Sequence, residues 1–373
     1  MERKTLVEEV KKQLCLAGPL IAANLLSFVL QTISLMYIGR FGKLQLSGAA
    51  VAMTFTNVTG FAVLLGMGSA LETLCGQAYG AKQAKLLGIH LQRAVLVLAI
   101  TSITLSIPCY HLLARTPGWD STKKSISDVP IFIKLAIPSA LIVCLEFWSF
   151  EILVIISGLL PNPLLETSVL SVSLNISSVV FMITMGLGAA ISIRVSNELG
   201  AGNPQAARLA MLVSTGLTMT EGLVVGSAMV LMHNVLGRAY SNDKVVVKSV
   251  AAMVPLVALS HFINTIQCVF SGISRGCGWQ YICVWISLGS FYAVGFPVSI
   301  VMAFFVHLGG KGLWLGIICA LSVQDILLVL MATRSNLGEE ANKAREKALS
   351  FNTTSERHTN LEALSCENIS VEM

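Results

Sequence analysis

Charge is the property that this sequence has least of. Only 12% of its 373 residues are Asp, Glu, Lys or Arg, whereas 54% are hydrophobic and the mean hydropathy is +0.75. A soluble domain carries about 25% charged residues, so this deficit is too large for a surface that faces water. The composition therefore predicts an all-α polytopic membrane protein whose outer surface faces the lipid bilayer.

Motifs for metal binding and for common catalytic chemistry are also missing. The nine cysteines are scattered, none forms a CxxC pair, and no His/Cys cluster has the spacing of metal ligands. No P-loop GxxxxGK[ST] and no nucleophile motif is present, which argues against an ATP-driven pump and against a hydrolase. We therefore expect a protein that is not an enzyme and that has no cofactor, no metal and no nucleic-acid partner.

Apolar runs dominate what the sequence does contain. A membrane-spanning helix needs about 20 apolar residues, and about nine such helices are predicted. They fall at roughly 14–38, 46–75, 86–113, 131–157, 165–194, 206–232, 248–275, 281–307 and 311–334. The remainder is polar: the first dozen residues, a basic linker at 115–130, and a tail from about 335 that is expected to begin as a short surface helix and then lose order.

Two of these runs end in the same way. The segment LETLCGQAYGAKQ (71–83) resembles IRVSNELGAGNPQ (193–205), and the similarity extends upstream at an offset of 120 residues. At this offset Gly66, Gly68, Ala70, Gly80 and Ala81 fall on Gly186, Gly188, Ala190, Gly200 and Ala201. Pro19 in the first run and Pro138 in the fourth run also each follow a short stretch that contains a lysine. The first three runs are thus predicted to be a copy of the fourth to sixth, and the last three runs have no counterpart in the first copy.

The positive residues reveal a conflict in the predicted topology. The N-terminus and the loop after the second run are both basic, so the positive-inside rule places them in the cytosol and the end of the third run outside. The linker 115–130 is basic as well and should prefer the cytosol. Parallel repeats related by an axis along the membrane normal need an even number of helices per unit. Three helices absent from the first copy would explain both the parity conflict and the incomplete repeat.

The repeated motifs and several other segments resemble the multidrug and toxic compound extrusion (MATE) family, in particular its plant branch. The resemblance is carried by GMGSALETLCGQAYGAKQ (66–83), CLEFWSFEILVIISGLLPNPLLETSVLSVSLN (144–175), RVSNELGAGNPQAAR (194–208), FSGISRGCGWQ (270–280) and GGKGLWLGIICAL (309–321). It implies two six-helix lobes around a central cavity, and export of organic cations or other small toxins in exchange for protons or sodium ions. By this comparison the chain has family helices 1–3 and 7–12 and lacks family helices 4–6.

The expected organisation follows from this resemblance and from the repeat. Residues 1–114 form a partial N-terminal lobe, 115–130 a basic linker, 131–334 a six-helix C-terminal lobe and 335–373 a polar tail. The expected function is secondary active export of small organic compounds, coupled to protons or monovalent cations, at the plasma membrane or the vacuolar membrane. The alternative is a truncated isoform that is inactive in transport or interferes with a full-length partner, and self-association stays open.

Carboxylates inside a membrane-spanning run are the first candidates for a functional site, because burying a charge there is costly. The fourth run contains Glu146 and Glu151, which lie about 140° apart around a helix and so cannot both face one cavity squarely. A carboxyl shielded from water can hold a proton in one state and release it in another, and its charged form attracts a cationic substrate.

The family resemblance implies a partner for Glu146, an aspartate in the seventh run within a pattern like S-x-F-L-D-S-x-Q. The corresponding residues run from Ser260 to Gln267, and Asn264 occupies the position of the aspartate. Asparagine does not titrate, which leaves Glu146 as the titrating group and Asn264 and Gln267 as hydrogen-bonding groups.

The other polar residues in the runs are weaker candidates. Glu221 in the sixth run is a second candidate for substrate or ion coupling. Trp148 could stack on a flat aromatic or cationic substrate or could simply pack, and Asn175 could line a cavity or join two helices by a hydrogen bond. Glu166 is expected at a helix N-terminus, and Glu72 is expected to stabilise the loop that follows the second run.

Overall fold

The fold is described from a computed structural model that defines residues 3–39, 60–110, 129–240 and 243–346. Helices account for nearly all of these residues, and no strand occurs within them. Seven of the helices are long and apolar enough to cross a membrane. The all-α membrane class is confirmed. The expected number of nine is not, because the helix that contains the first run is not among the seven and the second run, 46–75, lies partly outside the described residues.

The helices are numbered in chain order and connected by short turns where the connections are described. They are α1 (Arg3–Gly39), α2 (Ala62–Gly80), α3 (Ala84–Tyr110), α4 (Val129–Ser157), α5 (Pro163–Gly200), α6 (Pro204–Leu231), α7 (His233–Tyr240), α8 (Lys244–Cys277), α9 (Gln280–Phe305) and α10 (Gly310–Arg334). Two stretches of α9, Gly289–Gly295 and Val301–Phe305, are π-helical. A further helix occupies 337–346, as expected for the start of the tail, and the rest of the tail lies outside the described residues.

The ends of α2 and α5 have the same backbone structure, as the repeated motifs predict. Ala81 N donates to Gln77 O at 3.0 Å, and Ala201 N donates to Asn197 O at 2.9 Å. One residue later the chain turns through the left-handed region in both copies, at Lys82 with φ 58° and at Gly202 with φ 73°. Glycine adopts this conformation without steric cost, whereas lysine does not.

These two helix ends cross each other at backbone contact. A Cβ at Gly80 would overlap the carbonyl oxygen of Asn197, and a Cβ at Gly200 would overlap that of Gln77. Gln77 and Asn197 are themselves 120 residues apart, so each copy touches the other through the same positions. Reciprocal contacts of this kind are the signature of an interface around a two-fold axis. The packing therefore supports the internal repeat.

The first helix of each copy packs on the second helix of the other copy. Gly66 of α2 lies against the backbone of Ala140 in α4, and a Cβ at Gly186 of α5 would lie 2.8 Å from the backbone nitrogen of Ile21 in α1. When Pro19 is matched with Pro138, Ile21 and Ala140 are also counterparts. The pairs of helices that join the two copies thus include α2 with α5, α2 with α4, and α5 with α1.

Two groups of ion pairs, one buried and one half-buried, reinforce these contacts near the motifs. Arg194 of α5 donates to both carboxylate oxygens of Glu9 in α1, from Nε at 3.0 Å and from Nη2 at 2.8 Å, and also pairs with Glu198 at 2.8 Å. Arg275 of α8 lies 3.4 Å from Oε2 of Glu72 in α2. The expectation that Glu72 stabilises the adjoining loop is therefore wrong, since its carboxylate faces a cation of the second copy.

Helix α8 lies at the centre of the second copy, where it packs on α5, α6 and α10. Trp314 of α10 is 1% exposed in this core, and its indole donates to Ser260 Oγ of α8 at 3.0 Å. Glu166 lies in the first turn of α5, as expected, and also accepts a hydrogen bond from Gly310 N at 2.9 Å. One carboxylate thus stabilises the N-termini of two helices, α5 and α10.

Candidate functional site

The Glu146 carboxylate lies between α4, α8 and α10. Its Oε1 accepts hydrogen bonds from Gln267 Nε2 at 2.6 Å and from Gln324 Nε2 at 3.0 Å. The second proton of the Gln324 amide is directed to Ser287 Oγ of α9, also at 3.0 Å. Gln267 is 2% exposed and Gln324 and Ser287 are each 1% exposed. A network of buried polar groups therefore connects four helices of the second copy through one carboxylate.

The network lies close to Asn264, the position at which the family pattern has an aspartate. Asn264 precedes Gln267 by three residues on α8, and residues with this spacing share one face of a helix. Its side chain is half-buried, and no hydrogen bond joins it to another described residue. The hydrogen bond brings Glu146 and Gln267 together, and helix spacing places Asn264 on the same side of α8 as Gln267. Their role in coupling stays a prediction.

One helical turn earlier on α8, His261 forms a second buried pair with Glu221. The ring Nε2 of His261 lies 3.3 Å from Oε1 of Glu221 in α6, and their side chains are 1% and 12% exposed. Glu221 therefore faces the interior, as a coupling residue would. The sequence analysis did not select His261, although an ionisable residue within a membrane-spanning run satisfies the same rule that selected Glu146.

Of the remaining candidates, Asn175 and Glu151 form no hydrogen bond with the Glu146 network among the described residues. Asn175 accepts a hydrogen bond from Tyr240 of α7 at 2.8 Å, so it ties α5 to a short helix that the sequence analysis did not predict. Glu151 and Trp148 are half-buried on α4. Since Glu151 follows Glu146 by five residues, its side chain leaves α4 in a different direction, as expected.

Two members of the site, and a carboxylate next to one of them in the sequence, were missed by the sequence analysis. Gln324 and Ser287 carry amide and hydroxyl groups that are common in membrane helices, so no local signal distinguished them. Asp325 is different, because it is a carboxylate near the middle of the ninth run and only 8% exposed. The rule for intramembrane carboxylates applies to Asp325 as well and would have identified it.

A cleft of about 510 Å³ lies elsewhere, between the ends of the two motifs. It is lined by Tyr79, Gly80, Lys82, Gln83, Leu87, Arg194, Asn197, Glu198 and Ala201. These residues belong to the crossing of α2 with α5 and not to the Glu146 network. The cleft is therefore a feature of the interface between the copies.

A hydrogen-bonded carboxylate inside a bundle of lipid-facing helices is typical of proteins that move ions or small solutes across a membrane. The fold and this site define a multi-pass integral membrane transporter. The MatE family profile matches residues 19–115 and 138–301, and the chain belongs to this family. The profile thus matches twice, once in each copy, and the first match is the shorter.

Similar proteins support the assignment. Protein DETOXIFICATION 16 of Arabidopsis thaliana is 41% identical, with 93% of this chain and 92% of the relative covered. Protein DETOXIFICATION 17 of the same plant is 40% identical, with 91% and 93% covered. The crystal structure of the eukaryotic MATE transporter AtDTX14 is 32% identical and superposes with a TM-score of 0.82, covering 92% of this chain and 99% of that chain.

The alignments also show that this chain is shorter than its relatives. The alignment with Protein DETOXIFICATION 16 extends over 448 positions, more than the 373 residues of this chain, so it contains gaps opposite residues of the relative. The relative of solved structure, AtDTX14, is a MATE transporter, in line with the class that the fold defines.

Proposed function

We propose that the protein is a secondary active exporter of small organic compounds or xenobiotics that exchanges them for protons or monovalent cations. The observation that carries this proposal is the Glu146 carboxylate, which is held by Gln267 and Gln324 inside the helical bundle. The relatives named DETOXIFICATION and the MATE transporter AtDTX14 support export as the direction and small organic molecules as the cargo.

The exchange chemistry follows from the surroundings of Glu146. Two amide donors favour the charged form of a carboxyl, whereas exclusion of water favours its neutral form. A carboxyl held between these opposing influences can release a proton when a cationic substrate arrives and take one up when the substrate leaves. Gln267 and Gln324 keep Oε1 in place during this exchange, because each comes from a different helix.

Alternating access supplies the transport step in this proposal. Transporters built from repeats rock one repeat against the other around a site near the middle of the membrane. The buried pair of Arg194 with Glu9 and the half-buried pair of Arg275 with Glu72 join the copies close to the basic loops. Since the positive-inside rule places these loops in the cytosol, we infer that the described conformation is closed on the cytosolic side.

A second candidate function is favoured by the incomplete first copy. The alignment with the relatives contains gaps, and the first match to the family profile is shorter than the second. With family helices 4–6 missing, one wall of the substrate site would be open to lipid. The chain would then be an isoform that is inactive in transport, or that interferes by pairing with a full-length relative.

Proton movement in vesicles separates the two functions. The purified chain is reconstituted into liposomes that contain a pH-sensitive dye, and a cationic substrate is added outside. A proton-coupled exporter changes the lumenal pH in step with substrate movement, a cation-coupled one moves substrate in step with an imposed sodium gradient, and Glu146→Gln abolishes either response. The variant Glu339→Gln, an exposed residue beyond α10, serves as the control. The second function would be established instead if the chain alone gives no flux and also lowers the flux of a full-length relative in the same liposomes.

A further inference from the structure

The helix at 337–346, here called the tail helix, packs beside the end of the second motif. Its residues Ala341 and Ala344 are 1% and 4% exposed. They belong to one buried apolar cluster with Leu199 at the end of α5 and Ala207 in the first turn of α6. The second copy therefore has an apolar surface at its motif that binds a short helix.

The tail helix is amphipathic, and a charged side chain from it lies over the turn that follows the second motif. Leu337, Ala341 and Ala344 have the spacing i, i+4 and i+7 of one helix face, and they are the apolar residues that face the cluster. A Cβ at Gly202 in the turn would lie 3.5 Å from Cδ of Arg345. The surface thus accepts small residues, and a glycine leaves room beside it for a long cationic side chain.

The cleft at the crossing of α2 with α5 occupies the equivalent place in the first copy. Three residues that contact or adjoin the tail helix have counterparts in the lining of the cleft at the offset of 120 residues: Leu199 matches Tyr79, Gly202 matches Lys82 and Ala207 matches Leu87. Leu199 is 0% exposed, whereas Tyr79 is 67% exposed. Nothing in the described part of the chain covers Tyr79 as the second copy covers Leu199.

The size of the cleft and the order of the helices agree with this equivalence. One turn of a helix about 10–12 Å wide, with a pitch of 5.4 Å, occupies roughly 420–610 Å³, and the cleft has a volume of about 510 Å³. The tail helix follows α10, the last helix of the second copy. The repeat therefore predicts an equivalent helix after the last helix of a complete first copy, whereas the described part of the first copy ends with α3.

We propose that the cleft is a docking site for a short amphipathic helix of another protein chain, which enters from the cytosol. The positive-inside rule places the loops after both motifs on that side. Lys82 stands where the second copy has Gly202, so the docked helix carries an acidic residue at the position that Arg345 has in the tail helix. Its small residues pack on Tyr79 and Leu87, as in other complexes of a helix in a groove. Docking of this helix does not depend on export.

Peptide binding to the purified full chain in lipid nanodiscs tests the site. The peptide has the sequence of residues 336–348 with the substitution Arg345→Glu. A covalent link between the side chains at positions 342 and 346, both exposed in the tail helix, holds it helical, because isolated short helices are marginal in water. Fluorescence anisotropy should show saturable binding. The unsubstituted peptide should bind at least about threefold more weakly, because it exchanges an exposed attractive charge pair for a repulsive one.

Two variants and a matched control locate the binding. Lys82→Glu should reverse the preference between the two peptides, because the cleft then repels the acidic residue. Tyr79→Ser should weaken both peptides by about tenfold, because it removes apolar surface that the docked helix covers. Lys85→Glu changes an exposed lysine that does not line the cleft and should leave the preference unchanged. If a variant does not fold, the comparison of the two peptides on the unsubstituted chain still decides.

Three results would overturn the inference. One is the lack of saturable binding by either peptide. Another is a preference that Lys82→Glu leaves unchanged, which would mean that the peptide displaces the tail helix from the second copy. The third is binding that requires removal of residues 347–373, which would make that segment of the chain itself, and not a partner, the occupant of the cleft.

Discussion

Gly68 and Gly188 are counterparts in the two copies, yet their surroundings are opposite. A Cβ at Gly188 in α5 would lie 2.9 Å from Cys268 Sγ and 3.1 Å from the Cys268 carbonyl oxygen in α8. A Cβ at Gly68 in α2 would meet no described atom within 4 Å. The same small residue is thus needed for close helix packing in the second copy, whereas no described helix uses it in the first.

This difference separates what a repeat unit needs for folding from what it needs for function. The crossing of α2 with α5 is complete and reciprocal, so the core of the repeat is present in both copies. Helices α8, α9 and α10, which hold the partners of Glu146, belong to the second copy alone. We infer that the first copy has kept the interface and lost the helices that would enclose its side of the cavity.

The largest loss of stability is expected on substitution at a position where the copies differ in charge. Arg194 of α5 corresponds to Leu74 of α2 and pairs with Glu9 and Glu198. Arg194→Leu would leave the buried Glu9 carboxylate without its cation and should destabilise the protein by about 3 kcal/mol or more. Chemical unfolding in detergent measures the loss. An unchanged unfolding midpoint would show that the pair contributes nothing to the contact between α1 and α5.

Substitutions at the reciprocal crossing of α2 with α5 should destabilise the protein nearly as much, and by equal amounts in the two copies. Gly80→Ala and Gly200→Ala each place a methyl group on a backbone carbonyl of the other copy. Overpacking of this kind typically costs about 1–3 kcal/mol. Because the contacts are reciprocal, the two melting temperatures should fall by similar amounts. A large fall for one variant and none for the other would contradict the two-fold relation.

The sequence predicted this crossing better than it predicted the functional site. The motif repeat at an offset of 120 residues identified the counterparts that meet at the crossing, and the intramembrane carboxylate identified Glu146. The partners Gln324 and Ser287 could not be predicted, since Gln324 lies 178 residues from Glu146 and neither residue is unusual in a membrane helix. The pairing of Glu9 with Arg194 could not be predicted either, because it joins residues 185 apart.

A matched pair of alanine substitutions should destabilise the protein in the second copy and not in the first. Gly188→Ala brings a methyl group into tight contact with Cys268 and should destabilise the protein by about 1–2 kcal/mol. Gly68→Ala meets no described atom and improves helix propensity by up to about 1 kcal/mol, so it should be neutral or stabilising. A comparison of the melting temperatures of the two variants tests this prediction. Equal destabilisation would mean that another part of the chain covers Gly68.

The smallest change in stability is expected on substitution in the turn after each motif. Lys82 has φ 58°, whereas its counterpart Gly202 has φ 73°. A left-handed conformation costs a residue with a side chain about 1–2 kcal/mol. Glycine avoids this cost, but part of the gain is offset because glycine has more conformational freedom in the unfolded chain. Lys82→Gly should therefore raise stability by roughly 0.5 kcal/mol, whereas Gly202→Lys should lower it. A melting temperature that falls in Lys82→Gly would show that the lysine side chain makes a stabilising contact.

Efflux from living cells tests the central claim that the site of the second copy is complete while the wall of the first is not. The chain is expressed in a drug-sensitive bacterial host, with and without the missing segment of a full-length relative inserted between residues 110 and 129. Export of a cationic dye is compared at matched expression. We predict poor export by the short chain and a clear gain on insertion, with the gain abolished by Glu146→Gln. Equal export by the short and the extended chains would contradict the claim and would mean that the second copy transports by itself or as a dimer.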